Sequence, residues 1–390
     1  MRDPRLDKLA EVLVHYSTQV KPGHVVRLTG DPIAMPLIEA IYEQLIKAGA
    51  HVVPRIAPAS FQSMFFEHAN DDQLTHVSSI GLNEIETIDA SIGLWAETHT
   101  KALTNVDPAK QGKSSAARKP IFKVFMERAA AGEMPDKHPG IKPLKWVGSL
   151  FPTQASAQDA EMSLREYEEF VFKAGHLDKP DPVAEWTKIR ERQQKLTDFL
   201  NNNRKQLHFQ TTNGTDLHVN VEGMRWINCA GECNFPDGEV FTGPNLNAPD
   251  GGVNGIVKYS FPACHGGREV HDIELTFEKG RVVDAKASRN LDFLTKMLDQ
   301  DPGARNLGEI AIGTNYSITR YTKNTLFDEK IGGTFHAAVG AGYPETNNTN
   351  ESGLHWDMVC DLRQGGTIKV DGTVISENGK FLDPSYPGNE

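Results

Sequence analysis

The sequence predicts an α/β N-terminal domain built on a parallel sheet, followed by a mostly antiparallel β domain of the α+β type. Three observations carry that expectation. The chain has 390 residues, more than one ordinary core accommodates. Its first half alternates strand-like with helix-like segments. From about residue 206 it turns into short strands separated by turn residues. The division is placed at 1–190 and 191–390, within a boundary region of 175–205.

Taken in order, "LDKLAEVLVHYSTQV" carries apolar residues at helical spacing. "HVVRLTG" reads as a strand, "PIAMPLIEAIYEQLIKAGA" as a helix that starts at a proline and ends near a glycine, and "HVVPRI" as the next strand. "ASIGLWA" and "PLKWVGSLF" complete the strand set of this half. The turn after the first strand, "TGDPIAM", has no G-x-G-x-x-G pattern, so a dinucleotide site is not expected there. "MSLREYEEFVFKAGHL" opens on a capping box, Ser163 with Glu166. "VAEWTKIRERQQKLTDFLNNN" reads as a charged, mostly exposed helix, and these two helices as an arm between the domains. Beyond it, "LHFQTT", "DLHVNVEG", "GIVKYSFPA", "HDIELTFEKG", "GTFHAAVG", "HWDMVCDL" and "GTIKVDGTVI" are short strands. "FEKGRVV" and "KVDGTV" are hairpin signals. A curled sheet or open barrel is expected.

Charge narrows the partners. There are 52 acidic and 41 basic residues, a formal net charge of -11, and phosphate neutralisation needs the opposite sign concentrated on one face. Nucleic acid is not expected as a partner. The start, "MRDPRLDKLAEVLVHYSTQV", is broken by charges and is no secretory signal. No run approaches the roughly 18 apolar residues that cross a bilayer. No membrane association and a cytoplasmic location are expected. The four cysteines, Cys229, Cys233, Cys264 and Cys360, fit a reducing compartment. Cys229 and Cys233 form a C-x3-C pair with Cys264–His265 further on, but the spacing is no standard zinc pattern, and unligated thiols are expected.

Chemistry concentrates in the second domain. In "LHWDMVCDL", strand alternation puts Leu354, Trp356, Met358, Cys360 and Leu362 on an apolar face and His355 with Asp357 on the other. A solvated outer face is the ordinary explanation of such a pair. Three further stretches make it less comfortable. Glu239 follows a Pro-Asp-Gly turn in "CNFPDGEVFTGP", Glu309 is the single charge in "NLGEIAIGTN", and His336 and Tyr343 lie in "GGTFHAAVGAGYPET". A carboxylate inside an apolar run must be paired or bind a cation, and cationic neighbours are scarce along the chain. Three carboxylates, two imidazoles and a phenol suit two borderline or hard divalent ions, Zn, Co, Mn or Mg. His265 and His271, which flank "GGREV", are read as surface or supporting residues. Lys330 and Arg320 are candidates for binding a peptide carboxylate.

The phrases "NFPDGEVFTGP", "YSFPACHGGREV", "LGEIAIGTN", "LFDEKIGGTFHAAVGAGYPET" and "LHWDMVCDLR" resemble the thermophilic metallo-aminopeptidase family typified by aminopeptidase T. The resemblance is densest from about 160 to 365. It implies that Glu239, Glu309, His336, Tyr343, His355 and Asp357 ligate a two-metal centre in a homodimer of two-domain subunits. It also implies removal of N-terminal amino acids from peptides, with Glu309 or Asp357 bridging the metals, Glu309 taking the water proton and Tyr343 stabilising the oxyanion. In "WAETHT" the chain has His99 where the family pattern has Asn, so no substrate contact is carried over from the first domain. Two other readings stand beside it. His355, Asp357 and His336 also make the 2-His-1-carboxylate set of non-haem iron oxygenases, a mechanism that leaves Glu239 and Glu309 without a task. A binding or scaffold protein that keeps the fold without turnover is the other.

Overall fold

A computed structural model describes residues 2–389, excluding the side chains of Pro108 and Glu133. The chain divides into two compact units, one running to Val183 and including Gly231–Phe235, the other comprising Ala184–Ala230 and the residues from Pro236 on.

The first unit is built on strands β1 (Val25–Gly30), β2 (His51–Ile56), β3 (Ala90–Trp95) and β4 (Lys145–Leu150). With the two-residue strand β8 (Asn234–Phe235), they form a parallel sheet of order β2-β1-β3-β4-β8. The helix Met35–Lys47 buries Leu37, Ile38, Ile41 and Leu45, one stripe at helical spacing, and Gly49 ends it at a φ of +77°. The Ser163–Glu166 capping box is present in full. The sequence predicts no element where the helix Pro108–Glu133 stands. Its apolar residues are not gathered on one face and Pro120 lies inside it, so periodicity could not reveal it.

The second unit holds two large antiparallel sheets and a separate two-stranded one in place of the expected single curled sheet or open barrel. Its remaining strands are β5 (Gln206–Gln210), β6 (Asp216–Asn220), β7 (Ile227–Cys229), β9 (Glu239–Thr242), β10 (Val253–Lys258) and the hairpin β11 (Ala263–His265) with β12 (Arg268–Val270). They continue with β13 (Glu274–Glu278), β14 (Arg281–Lys286), β15 (Leu307–Gly313), β16 (Thr334–Gly340) and β17 (His355–Asp361). The last are β18 (Thr367–Val370), β19 (Thr373–Glu377) and β20 (Lys380–Phe381). One sheet has the order β14-β13-β10-β6-β5-β18-β19-β20, the other β17-β16-β15-β9-β7. A shared apolar core lies between them, and Phe209 of the first stacks on Phe335 of the second with ring centroids 4.4 Å apart. Two facing sheets bury both inner faces, which one open sheet cannot do. The hairpin signals are realised as turns with two residues at positive φ. Lys279 and Gly280 stand at +49° and +83°, Asp371 and Gly372 at +48° and +81°.

The helix Pro182–Asn201 is not an arm. Leu196 and Leu200 join the core of the second unit, and Gln193 is fully buried. The Gln193 amide donates to the carbonyls of Cys229 and Glu239, and its oxygen accepts from the Thr314 hydroxyl at 2.8 Å. The charged face of this helix concealed the role of its polar interior residue.

A β-bulge at Gly308 sorts the faces of β15. Leu307 pairs with Val339 and points into the core, whereas Glu309, two residues on, pairs with Ala338 and points the other way. Regular alternation would put both on one face. A Cβ at Gly308 would collide with the backbone oxygens of Gly340 and Ala341, which cannot yield as a flexible side chain does. Gly308→Ala is therefore expected to cost roughly 1–3 kcal/mol of overpacking strain. A lower thermal midpoint together with reduced metal content would be its signature. Unchanged values for both would show that the bulge tolerates a side chain.

Candidate metal centre

The five-stranded sheet sends its apolar alternates inward and its chemistry outward. On β17, Trp356, Met358 and Cys360 are buried in the core, while His355 and Asp357 project from the opposite face. The same face carries His336 from β16, Glu309 from β15 and Glu239 from β9. Every one of these side chains stands beside a residue with almost no side chain. Glu239 is paired with Gly313, Glu309 with Ala338, His336 with Ala311, Asp357 with Ala338 and His355 with Gly340. Gly and Ala at those positions leave room for long polar groups to converge.

The two imidazoles are oriented alike. His336 Nδ1 donates to the carbonyl of Glu329 at 3.1 Å and His355 Nδ1 to that of Ala341 at 2.8 Å. Each Nε2 is thereby turned to carboxylates. His336 Nε2 lies 3.2 Å from Glu309 Oε1, 3.5 Å from Glu239 Oε2 and 3.7 Å from Asp357 Oδ1. His355 Nε2 lies 3.3 Å from Glu309 Oε2 and 3.5 Å from Asp357 Oδ1. Glu309 thus divides its two oxygens between the imidazoles. Among the described residues, Glu239 Oε2 and Asp357 Oδ1 are buried without a hydrogen-bond donor. Backbone-anchored histidines whose second nitrogens face undonated carboxylate oxygens fit a divalent cation. The Tyr343 ring stands edge-on to that of His355, centroids 5.0 Å apart, and edge-on to Phe241.

Charge makes the same point. Asp237, Glu239, Glu309, Glu329 and Asp357 bring five carboxylates to the cluster, and among the described residues the ammonium that pairs with them is that of Lys330, held by Asp237, Glu239 and Glu329. With all five carboxylates ionised and both imidazoles neutral, four negative charges would remain, a deficit that protons or divalent cations can fill. Burial opposes charge on His336, but Glu309, Glu239 and Asp357 outweigh it and push the imidazole up to about 9. The same contest holds His355 well above its usual range. Burial pushes the Glu239 carboxyl up to about 8 against Lys330 and His336, whereas the imidazoles hold Asp357 well below the carboxylate range. The cluster is short of positive charge.

A family model described as thermophilic metalloprotease (M29) matches residues 2–381. The chain belongs to the M29 metalloproteases. Its relatives include Aminopeptidase 2 of Geobacillus stearothermophilus, 28% identical over 415 residues, with 97% of this chain and 95% of the relative covered. Among solved structures, wild-type AmpT from Thermus thermophilus has a TM-score of 0.83 at 24% identity, covering 97% of this chain and 99% of that one. The structure of 2,5-dihydroxypyridine dioxygenase from Pseudomonas putida has a TM-score of 0.58 at 14% identity, covering 97% of each. Both likenesses concern the fold. Metalloprotease membership brings a requirement for divalent metal.

All six residues singled out in the sequence of this M29 protein meet at the one sheet face. The supposed lack of cationic partners is corrected. Lys330 is fully buried and donates to Glu239 Oε1, and to Glu329 Oε1 at 2.6 Å, with Asp237 Oδ1 at 3.9 Å. It therefore has no free ammonium for a peptide carboxylate. Its partner Glu239 is 91 positions away, beyond the reach of local reading. Glu329, which sequence reasoning passed over, brings a carboxylate oxygen within 4.8 Å of ligating atoms of His336 and Asp357, and its carbonyl accepts from His336 Nδ1. The signal was Asp328-Glu329-Lys330, three charges between the buried Phe327 and Ile331. His265 packs on Trp356 with centroids 5.1 Å apart, and His271 lies 3.2 Å from Glu269. Neither belongs to a ligand cluster among the described residues. Beside Asp357 and Glu329 opens a shallow depression bordered by Pro262, Cys264, Tyr321 and Lys323. No described helix is long and apolar enough to cross a membrane.

Proposed function

We infer that this M29 protein is a metallo-aminopeptidase that uses a pair of divalent cations to release N-terminal residues from peptides. The observation that carries the pair is Glu309, whose two carboxylate oxygens face two separate imidazoles at 3.2 and 3.3 Å. Glu239, Glu309 and His336 would hold one ion, and Glu309, His355 and Asp357 the other, with Tyr343 beside the second. The exopeptidase reading draws on the names of relatives, which are aminopeptidases.

Bound divalent ions supply Lewis-acid polarisation of the scissile carbonyl, a water of lowered pKa and an anchor for a free α-amine. The chain's own groups do the rest. Glu309, whose two oxygens face the two imidazoles, would help hold the ions, with Glu309 or Asp357 shared between them, and is the candidate proton acceptor at the face. Tyr343, edge-on to His355, would donate its phenol hydrogen to a developing oxyanion. Lys330 fixes Glu239 through one oxygen and leaves the other turned to His336. A cytoplasmic homodimer acting on soluble peptides completes the proposal.

The oxygenase reading has the dioxygenase fold in its favour, but folds do not decide chemistry. A lone 2-His-1-carboxylate iron leaves Glu239 and Glu309 idle, although both approach the same imidazole. Metal analysis with a panel of aminoacyl anilides separates the two. Two redox-inert divalent ions per chain, with hydrolysis that chelation abolishes and the same ions restore, is the expected result. One iron per chain and no hydrolysis would sink the peptidase.

A further inference from the structure

The eight-stranded sheet carries a second cluster of ligating atoms on the face turned away from the core. Alternation buries Leu207, Phe209, Leu217 and Val219, so His208, Asp216 and His218 project outward. The β5–β6 register sets His208 directly opposite His218, and Asp216 lies two positions before His218 on the same face. The imidazoles stack with centroids 3.9 Å apart and an interplanar angle of 15°. His208 Nε2 lies 2.6 Å from Asp216 Oδ1, and His218 Nε2 is 3.7 Å from the same oxygen. One ligating atom from each of the three falls within 4.8 Å of the others.

We propose that His208, Asp216 and His218 form a second, surface metal site for a borderline transition cation such as Zn2+, independent of the buried cluster. Two imidazole nitrogens and one carboxylate oxygen select zinc, copper or nickel over magnesium or calcium, which favour all-oxygen sets. A solvated His208–Asp216 hydrogen bond alone would explain two of the three residues. It leaves the second imidazole stacked on the first with its Nε2 turned to an oxygen that is already engaged and beyond hydrogen-bonding distance. With the three ligating atoms within 4.8 Å of one another, a cation that draws the two ring nitrogens toward it from their stacked arrangement gives all three residues a task. Lys369, opposite His208 on β18, donates its ammonium to Gln210 Oε1 at 2.8 Å rather than to Asp216. Asn254, opposite His218 on β10, is occupied with Asp250 and Lys279. The bound ion would staple β5 to β6 across the sheet.

Equilibrium dialysis of the metal-loaded enzyme against Zn2+ tests the site. Wild type should retain one zinc per chain more than His218→Ala, whatever the number held by the buried cluster. Asp216→Asn should lose the same equivalent, and anilide hydrolysis should be unchanged in both variants. Dialysis against Mg2+ should give equal metal content in all three proteins. Equal zinc content in wild type and the two folded variants overturns the proposal. Failure of the two-metal peptidase reading would appear instead as a changed count common to all three proteins.

Discussion

Glu309→Gln yields a folded protein whose kcat falls by roughly 10²–10⁴-fold, the range that removal of an acid–base group produces. The substitution keeps the shape of the side chain and takes away its charge. Glu309 is buried between the two imidazoles, and its charged form is favoured because both of them outweigh the cost of burial. A neutral amide offers one oxygen and one NH2, so it cannot face both Nε2 atoms with an acceptor. Metal content separates its two tasks. A variant with wild-type metal content that does not turn over has lost the proton acceptor, whereas one with less metal than wild type has lost a ligand. Wild-type kcat with full metal content would remove Glu309 from the mechanism.

Lys330→Met has its largest effect on stability. The ammonium is buried against Glu239, Glu329 and Asp237, and those carboxylates hold it charged well above its usual range despite burial. Removing one partner of a buried ion pair leaves the other uncompensated and costs about 3–5 kcal/mol. Calorimetry of chelated wild type and variant should show that loss. Added divalent metal should recover part of it, because ligand binding to the folded state is stabilisation. A chelated variant as stable as wild type would mean that Glu239 and Glu329 do not depend on the lysine for their charge balance.

Much of the architecture was legible because it is written at short range. The strand segments of both units and the Lys279-Gly280 and Asp371-Gly372 turns are local patterns, and so is the Ser163–Glu166 cap. The alternation in "LHWDMVCDL" likewise told the core face from the face bearing His355 and Asp357. The helix Pro108–Glu133 escaped because its residues are not sorted by face, and Gln193 because a buried amide on a charged helix has no sequence mark.

By itself, then, the chain determined most of the longer strands, the apolar face of the strand bearing His355 and Asp357, and six acids, imidazoles and a phenol without a place in the apolar pattern, but not the strands that carry Glu239 and Glu309. Tertiary structure alone decided that two sheets rather than one enclose the core, that Gly308 re-aims Glu309, and that Gly and Ala stand beside each converging side chain. It alone brought Lys330 to Glu239. The reason is range. Side-chain periodicity is set by neighbours one and two positions away, whereas register and charge compensation are set by partners dozens of residues distant, which only the assembled sheet brings into contact.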